Sequence, residues 1–510
     1  MSRKAAVRAA RPEDEKLPIG RSFTYGLQHV LTMYGGIIAV PLIIGQAAGL
    51  DDGDIAVLIA SALFIGGAAT VLQSWGVRFF GSQLPLVQGV SFAGVATMLA
   101  ILSGGGGIPA VIGAVLVAGA FGLVVAPFFA QIIRFFPPVV TGVVITTIGL
   151  TLMPVAAGWA MGGQGSPDFG SVSNIGLAFL TFVIVLVLSK VGVASISRLS
   201  ILLAIVIGTL IAAVLGMTDF SGVGDGAVVA VPEIFAFGAP TFEIAAIISM
   251  IIVVLVTMTE TTADILAVGE IIGTDVDSKR IADGLRADML SSTVAPVFNS
   301  FTQTAFAQNV GLVAITGIKS RFVVAAGGVI MLVLGLLPVL GRVVAAIPTP
   351  VLGGAGVVLF GTVAAAGIRT LAKVDYEGNM NLVIVASSLA FGMIPIVAPT
   401  FYDGFPDWFT TIFHSGISSA AVMAVLLNLL FNHFRAGTPT NPSVVAARGV
   451  RYISPTVLDA LEDGDTVRNG KLVDSTGAEI PVAGKNGTQG EGSQVRREAA
   501  PRKGRRGGRR

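Results

Sequence analysis

What most constrains this chain is a succession of apolar runs, each near the length that crosses a bilayer, spread over residues 23–434. A helix needs about 20 apolar residues to cross the hydrocarbon core. In the first half such runs lie at 23–45, 54–74, 85–102, 108–131, 138–157, 175–190 and 199–217. In the second half they lie at 243–268, 284–299, 302–316, 322–342, 350–366, 380–397 and 416–434. The count is about fourteen. Only 12% of the 510 residues are charged, half of the roughly 25% usual in soluble domains. The pattern predicts an all-α polytopic membrane protein, not a soluble enzyme with an anchor. With 0 Cys and 3 His, no disulfide framework and no metal centre is expected.

The charges support an even number of spans. With both termini cytoplasmic, the inner side collects Arg3, Lys4, Arg78, Arg134, Lys190, Arg198, Lys279, Arg280, Lys319, Arg321, Arg369 and Lys373. The outer loops hold Asp51, Asp52, Asp54, Asp168, Asp219, Glu233 and Asp403, with Arg342 as their basic residue. This is the bias that orients membrane proteins, and one span more or fewer would reverse every later loop. It predicts a multi-pass protein of a bacterial-type cytoplasmic (inner or plasma) membrane.

The long polar loop divides the spans into two sets of seven, and an odd number per set inverts the second set. The expected domains are a cytoplasmic tail (1–20), a first inverted repeat (21–217), an external loop (218–242) and a second inverted repeat (243–435). A cytoplasmic, largely disordered basic tail (436–510) follows; its end, RREAAPRKGRRGGRR, could touch anionic lipid. It lacks the aromatic interleaving of a nucleic-acid binder.

The third span of each set is polar and interrupted: Ser82–Val95 reads SQLPLVQGVSFAGV and Ser300–Val313 reads SFTQTAFAQNVGLV. Each is expected to be a short strand followed by a half-helix. Unpaired strand backbone survives at membrane depth only if it pairs or lines a cavity. Paired strands would aim two half-helix N-termini, each with free N–H groups, at one place. Glu260, Asp264 and Asp288 lie in the segments just before the second break. Acids at this depth cost roughly 2.5–3.5 kcal/mol each and mark substrate or ion paths. Glu260 and Asp264 share a helix face four residues apart, so they disfavour ionising together.

The stretch Gln308-Asn309-Val310-Gly311-Leu312-Val313-Ala314-Ile315-Thr316-Gly317 resembles the signature of the nucleobase–ascorbate transporters (xanthine/uracil permeases). So do Gln28-His29 with MYGGIIAVPLIIG (Met33–Gly45), LPLVQGVSFAG (Leu84–Gly94), Glu260-Thr-Thr-Ala-Asp264-Ile and Asp288, over about residues 21–435. The resemblance implies a core domain at about 21–134 and 243–342 and a gate domain at about 138–217 and 350–435. It also implies cation-coupled nucleobase uptake, usually with co-transported H⁺, by a homodimer with an elevator-like motion. Gln308, Asp264 and Gly317 are similar to the xanthine and urate group, where uracil-type members carry Glu, His and Arg. An amide donates and accepts, so Gln308 suits a lactam edge.

Carried over residue by residue, Glu260 and Gln308 would hydrogen-bond the purine, and Phe92 and Phe306 would stack on its ring. Backbone near Phe92 and Ala307 would bind its oxygens, Gly36 would let it come close, and Ser91 would line the site. Asp264, Asp288, Asn309 and His29 would form the proton-coupling and core network. Asn309 could instead fix the strand–helix turn, and His29 could hold a structural hydrogen bond. Pro348, Pro350 and the Gly353-Gly354 pair suggest a bent or broken helix facing the site. The alternatives are a uracil permease, a sodium-coupled symporter, an anion exchanger or an uncoupled channel. No nucleotide loop or Ser-His-Asp set at membrane depth speaks for an enzyme.

Overall fold

The computed structural model describes residues 11–191, 193–377, 380–434, 466–468 and 471–473. Its elements begin with α1 (Ile19–Ala47), α2 (Asp52–Trp75), strand β1 (Gln88–Val90), α3 (Val95–Ser103), α4 (Gly107–Val125) and α5 (Phe129–Ile132). Next come α6 (Pro138–Thr151), α7 (Met153–Ala160), α8 (Val172–Lys190), α9 (Ala194–Arg198) and α10 (Ser200–Val214). After a long loop follow α11 (Ile244–Ile272), α12 (Ser278–Val294), strand β2 (Gln303–Ala305), α13 (Ala307–Thr316), α14 (Arg321–Gly335) and α15 (Pro338–Ala345). The last helices are α16 (Thr349–Leu371), α17 (Asn381–Val397), α18 (Asp407–Phe413) and α19 (Gly416–Asn428).

Among the described residues, 8 helices are long and apolar enough to cross a membrane, or 9 if α14 and α15 count as one bent span. Several of the expected spans are therefore not single long helices. The run expected at 322–342 turns by 79° between α14 and α15. Pro338 opens α15 and, lacking an N–H, cannot continue the preceding ladder. The run expected at 284–299 starts earlier, at Ser278, capped by the Asp277 carboxylate on the Arg280 N–H at 2.7 Å. Lys279 pairs with Asp283 at 2.5 Å across one turn, and Arg286 pairs with the same acid. These charges hide the first turns of α12 from a hydropathy reading.

The expected break at Gly353-Gly354 is absent: α16 is continuous from Thr349. Pro348 caps it and Pro350 sits in its first turn, where a missing N–H costs nothing. The two glycines serve contact instead, since a Cβ on either would press on the backbone of Ala160 or Ala178. Small residues let membrane helices approach this closely.

In a separate unit, Thr466–Arg468 and Lys471–Val473 form an antiparallel pair, β3 and β4. The sequence between them is Asn469-Gly470, the pair favoured in two-residue hairpin turns. The rest of the expected basic tail, Arg496–Arg510 included, lies outside the described residues.

Candidate functional site

The site is built on two broken segments. Strands β1 and β2 pair antiparallel, with Gln88 opposite Ala305, Gly89 opposite Thr304 and Val90 opposite Gln303. Two further bonds extend the ladder, Ser91 N–H to Thr302 O at 2.8 Å and Phe306 N–H to Val87 O at 3.1 Å. Side chains close the outer edges. The Gln88 N–H donates to Thr70 Oγ1 at 2.9 Å, from α2. The Gln303 N–H donates to Ser292 Oγ at 2.8 Å, from α12. The Ala305 N–H donates to Thr261 Oγ1 at 3.2 Å, from α11. These three bonds give the outer-edge N–H groups of Gln88, Gln303 and Ala305 partners at a depth where water supplies none.

Beyond β1, Ser91 caps the turn Phe92–Gly94, its hydroxyl accepting from the Ala93 N–H at 3.2 Å, and α3 follows. Beyond β2, Ala307 and Gln308 begin α13 and are both exposed. The first N–H groups of a helix have no partner inside it. Gly317 ends α13 at φ 67°, a left-handed position that glycine takes freely.

The two aromatic candidates meet. A Cβ on Gly36 would stand 3.4 Å from Phe306 Cε2 and 3.8 Å from Phe92 Cε2. Gly36 is buried behind both rings, so its missing side chain makes room for them rather than leaving open backbone. Gly89, unremarked in the sequence reading, does the same: a Cβ there would be 2.8 Å from Phe306 Cζ. Phe92 also meets Phe360 of α16 edge-on, with centroids 6.0 Å apart.

Helix α11 packs on β2, α13 and the Phe92–Gly94 turn, which brings Glu260 and Asp264 to this region. Both carboxylate residues are half-buried. Thr261, next to Glu260, is the bridge. Its hydroxyl accepts from β2 and donates to Asp288 Oδ2 at 2.5 Å. It also lies 3.2 Å from Thr304 Oγ1. Asp288 is 0% exposed and its Oδ1 has no hydrogen bond among the described residues. Among the described residues, neither polar atom of the buried Gln88 amide meets a hydrogen-bond partner at normal geometry.

Asn309 and His29 meet away from the rings. Asn309 Nδ2 donates to the Pro85 carbonyl at 2.7 Å, which fixes the amide's orientation. Its Oδ1 therefore accepts from His29 Nδ1, at 2.6 Å. Asn309 thus joins α1, α13 and the chain before β1, instead of bonding only its own turn.

The sequence reading missed Thr261, Thr304, Gln88, Gly89 and Phe360. Gln88 and Gln303 carried a signal, since each breaks its segment at a matching position. Thr261 and Thr304 carried none, because isolated threonines are common in membrane helices. The assembled parts are two aromatic rings, an exposed amide at a helix N-terminus, and half-buried acids. Such a set can hold a flat, polar, hydrogen-bonding ring.

The Permease family profile matches residues 20–401. The chain is 42% identical over 415 residues to the xanthine permease of Bacillus subtilis, covering 81% of this chain and 94% of that one. It is 40% identical over 431 residues to the uric acid transporter UacT of Escherichia coli, covering 83% and 89%. The uric acid permease PucK of Bacillus subtilis is 41% identical over 406 residues, covering 80% and 94%. Among solved structures, the transmembrane domain of the cyanobacterial bicarbonate transporter BicA is similar at TM-score 0.54 and 16% identity, over 78% of this chain and 100% of that one. The murine anion transporter Slc26a9 gives 0.56 and 12%, over 82% and 69%. At these identities the two structures speak for the fold alone. With the profile spanning most of the chain and the ten-residue signature lying on α13 beside the strand pair, the protein belongs to the nucleobase–ascorbate transporter family of permeases.

Proposed function

We propose that this chain is a secondary active transporter that takes up an oxidised purine nucleobase, xanthine and/or urate, in symport with protons. The observation that carries the reading is the pairing of Gln88–Val90 with Gln303–Ala305. It sets Phe92 and Phe306 against one glycine, two residues from the exposed Gln308. A lactam ring has faces for aromatic stacking and alternating N–H and C=O groups for an amide and for helix N–H groups. In this reading Gln308 and Glu260 pair with the ring edge, and backbone at Ala307 meets an oxygen. Asp264 and Asp288 form the coupling network through Thr261. His29 and Asn309 hold the core together. Ser91 lines the site through its backbone, its hydroxyl being used as a cap.

The reading includes about fourteen spans in two inverted sets of seven, with both termini cytoplasmic in a cytoplasmic membrane. One feature that supports inversion is that Thr70 of α2 and Ser292 of α12 each satisfy the same edge of their own strand. The core domain (about 21–134 and 243–342) carries the substrate past the gate domain (about 138–217 and 350–435) in an elevator-like motion of a homodimer. The names of the relatives, xanthine permease and uric acid permease, support a purine over uracil.

The test is uptake of radiolabelled xanthine, urate and uracil by cells lacking their own permeases, with and without a protonophore. Saturable purine uptake that collapses with the protonophore and in Glu260→Gln is expected. Uracil-only uptake overturns the substrate assignment, and purine uptake indifferent to the protonophore overturns proton coupling.

A further inference from the structure

A cavity of about 580 Å³ opens between the first turn of α1, the last turn of α2 and the first turns of α14, within the usual range for small-molecule sites. Much of its lining is apolar, including Phe23, Val71, Ala326 and Val329. Its open side shows Phe23 at 44% and Val329 at 43% exposed. At its mouth stand Trp75, Phe322, Lys16 and Arg321. An amphipathic aromatic such as Trp75 sits where hydrocarbon meets headgroup.

The charge at the mouth is concentrated. Lys16 Nζ lies 5.9 Å and Arg321 Cζ 4.6 Å from the centroid of the same Phe322 ring. Arg321 is held there: its Nη1 donates to the carbonyls of Ser74 and Trp75, and its Nε pairs with Asp14 at 2.7 Å. Asp14 balances one of the two cations. Lys16 is exposed and has no hydrogen bond or ion pair among the described residues. No carboxylate lines the cavity among the described residues. The N-termini of α1 and α14 open at the same mouth and add positive dipole ends, while the C-terminal carbonyls of α2 there are taken up by Arg321.

We propose that this groove binds an anionic phospholipid of the adjacent leaflet, with its phosphate at Lys16 and Arg321 and an acyl chain along Phe23, Ala326 and Val329. An apolar trough open to the bilayer selects a lipid chain. The surplus cation at its end selects an anionic headgroup over a zwitterionic one. The orientation proposed above makes the leaflet cytoplasmic; the site itself does not depend on the transport reading.

The test is native mass spectrometry of the full-length protein in neutral maltoside detergent, with added dioleoylphosphatidylglycerol or dioleoylphosphatidylcholine. Wild type is expected to retain phosphatidylglycerol about fivefold better, the scale of one basic residue near a membrane surface. Lys16→Gln should remove most of that preference, and Ala326→Leu, which fills the trough, should lower retention of both lipids. Lys373→Gln, an exposed lysine outside the cavity, should change nothing. Lys16 precedes the first helix, so its variant keeps the test decisive if Ala326→Leu fails to fold. Equal retention of the two lipids by wild type overturns the proposal. So does a preference that survives Lys16→Gln. A dimer mass lost in Ala326→Leu without change in lipid retention would assign the groove to a second copy instead. Because lipid retention is read without transport, this result and the uptake result can fail independently.

Discussion

Asn309 is where three pieces of chain meet, and removing its amide tests that junction. Both bonds are buried, Asn309 at 0% and His29 at 1% exposed. Asn309→Ala leaves the His29 Nδ1–H and the Pro85 carbonyl without partners. In a soluble core each orphan costs about 1–3 kcal/mol, so the pair would cost about 2–6 kcal/mol. Inside a membrane the unfolded chain also keeps its polar groups paired, and side-chain bonds there average about 0.6 and reach about 1.7 kcal/mol. The smaller scale governs, which gives about 1–3 kcal/mol for Asn309→Ala. Between His29→Ala and Asn309→Ala the coupling should be about 0.6–1.7 kcal/mol. The assay is reversible unfolding by dodecyl sulfate in mixed micelles, followed by tryptophan fluorescence, for both single variants and the double. Additivity within about 0.3–0.5 kcal/mol would show that the two residues do not interact, and would refute the junction.

Gly354→Ala should destabilise the protein by about 1–3 kcal/mol, because its Cβ would press on the Ala178 carbonyl. Gly361→Ala in the same helix meets nothing nearer than Met153 Cε at 3.8 Å and should be neutral or stabilising by about 0.5–1 kcal/mol; equal thermal stability of the two variants in detergent would contradict this. Burial opposes charge on Asp14, but the hydrogen bonds and charges of Arg321 and Arg11 outweigh it and hold its carboxyl below the usual carboxylate range. A depressed carboxylate stabilises above its unfolded value and loses that contribution as pH falls through the folded one. The melting-temperature gap between wild type and Asp14→Asn should therefore be constant from about pH 5 to 8 and close below about pH 4, and a gap that widens on acidification would contradict the assignment. Thr97 Oγ1 of α3 and Ser415 Oγ, the cap of α19, are 2.8 Å apart in a chain with 0 Cys. Oxidised Thr97→Cys/Ser415→Cys should lose uptake and regain it on reduction, whereas full uptake with the crosslink formed would mean that α3 and α19 do not separate during transport.

The broken segments were legible because polar residues in an apolar protein carry a cost that packing alone does not repay. The strands lie within the two runs singled out for that reason, Ser82–Val95 and Ser300–Val313. The helix start at Ser278 was hidden, since Lys279, Asp283 and Arg286 neutralise one another only in three dimensions. The glycines of α16 were misread because a missing Cβ serves a break and a close contact equally well. Only Ala160 and Ala178 opposite them decide between the two. Ser91 was legible as a small polar residue beside the ring but not as a cap, because its acceptor role depends on where the Ala93 N–H points. Gly36 was picked out for closeness to a ligand, and the closeness it provides is to Phe92 and Phe306.

The contacts around the strand pair differ in how easily they could exchange. Opening β1 from β2, or either from Thr70, Ser292 or Thr261, would orphan backbone groups in low dielectric at several kcal/mol each. The contacts from this unit to α7, α16 and α19 are of another kind. They include the Phe92–Phe360 edge, the Thr97 hydroxyl with Ser415 and Ser418, and Trp159 Nε1 donating to Gln46 at 2.5 Å. Neutral hydrogen bonds and aromatic pairs are worth about 0.5–1.5 kcal/mol each. Breaking this set costs a few kcal/mol, the scale on which two conformations coexist. The proposed motion therefore follows the boundary between the strand-bearing unit and α7, α16 and α19. In that proposed motion the sheet would move as one piece, with the rings, Gln308 and the acids of α11 travelling with it.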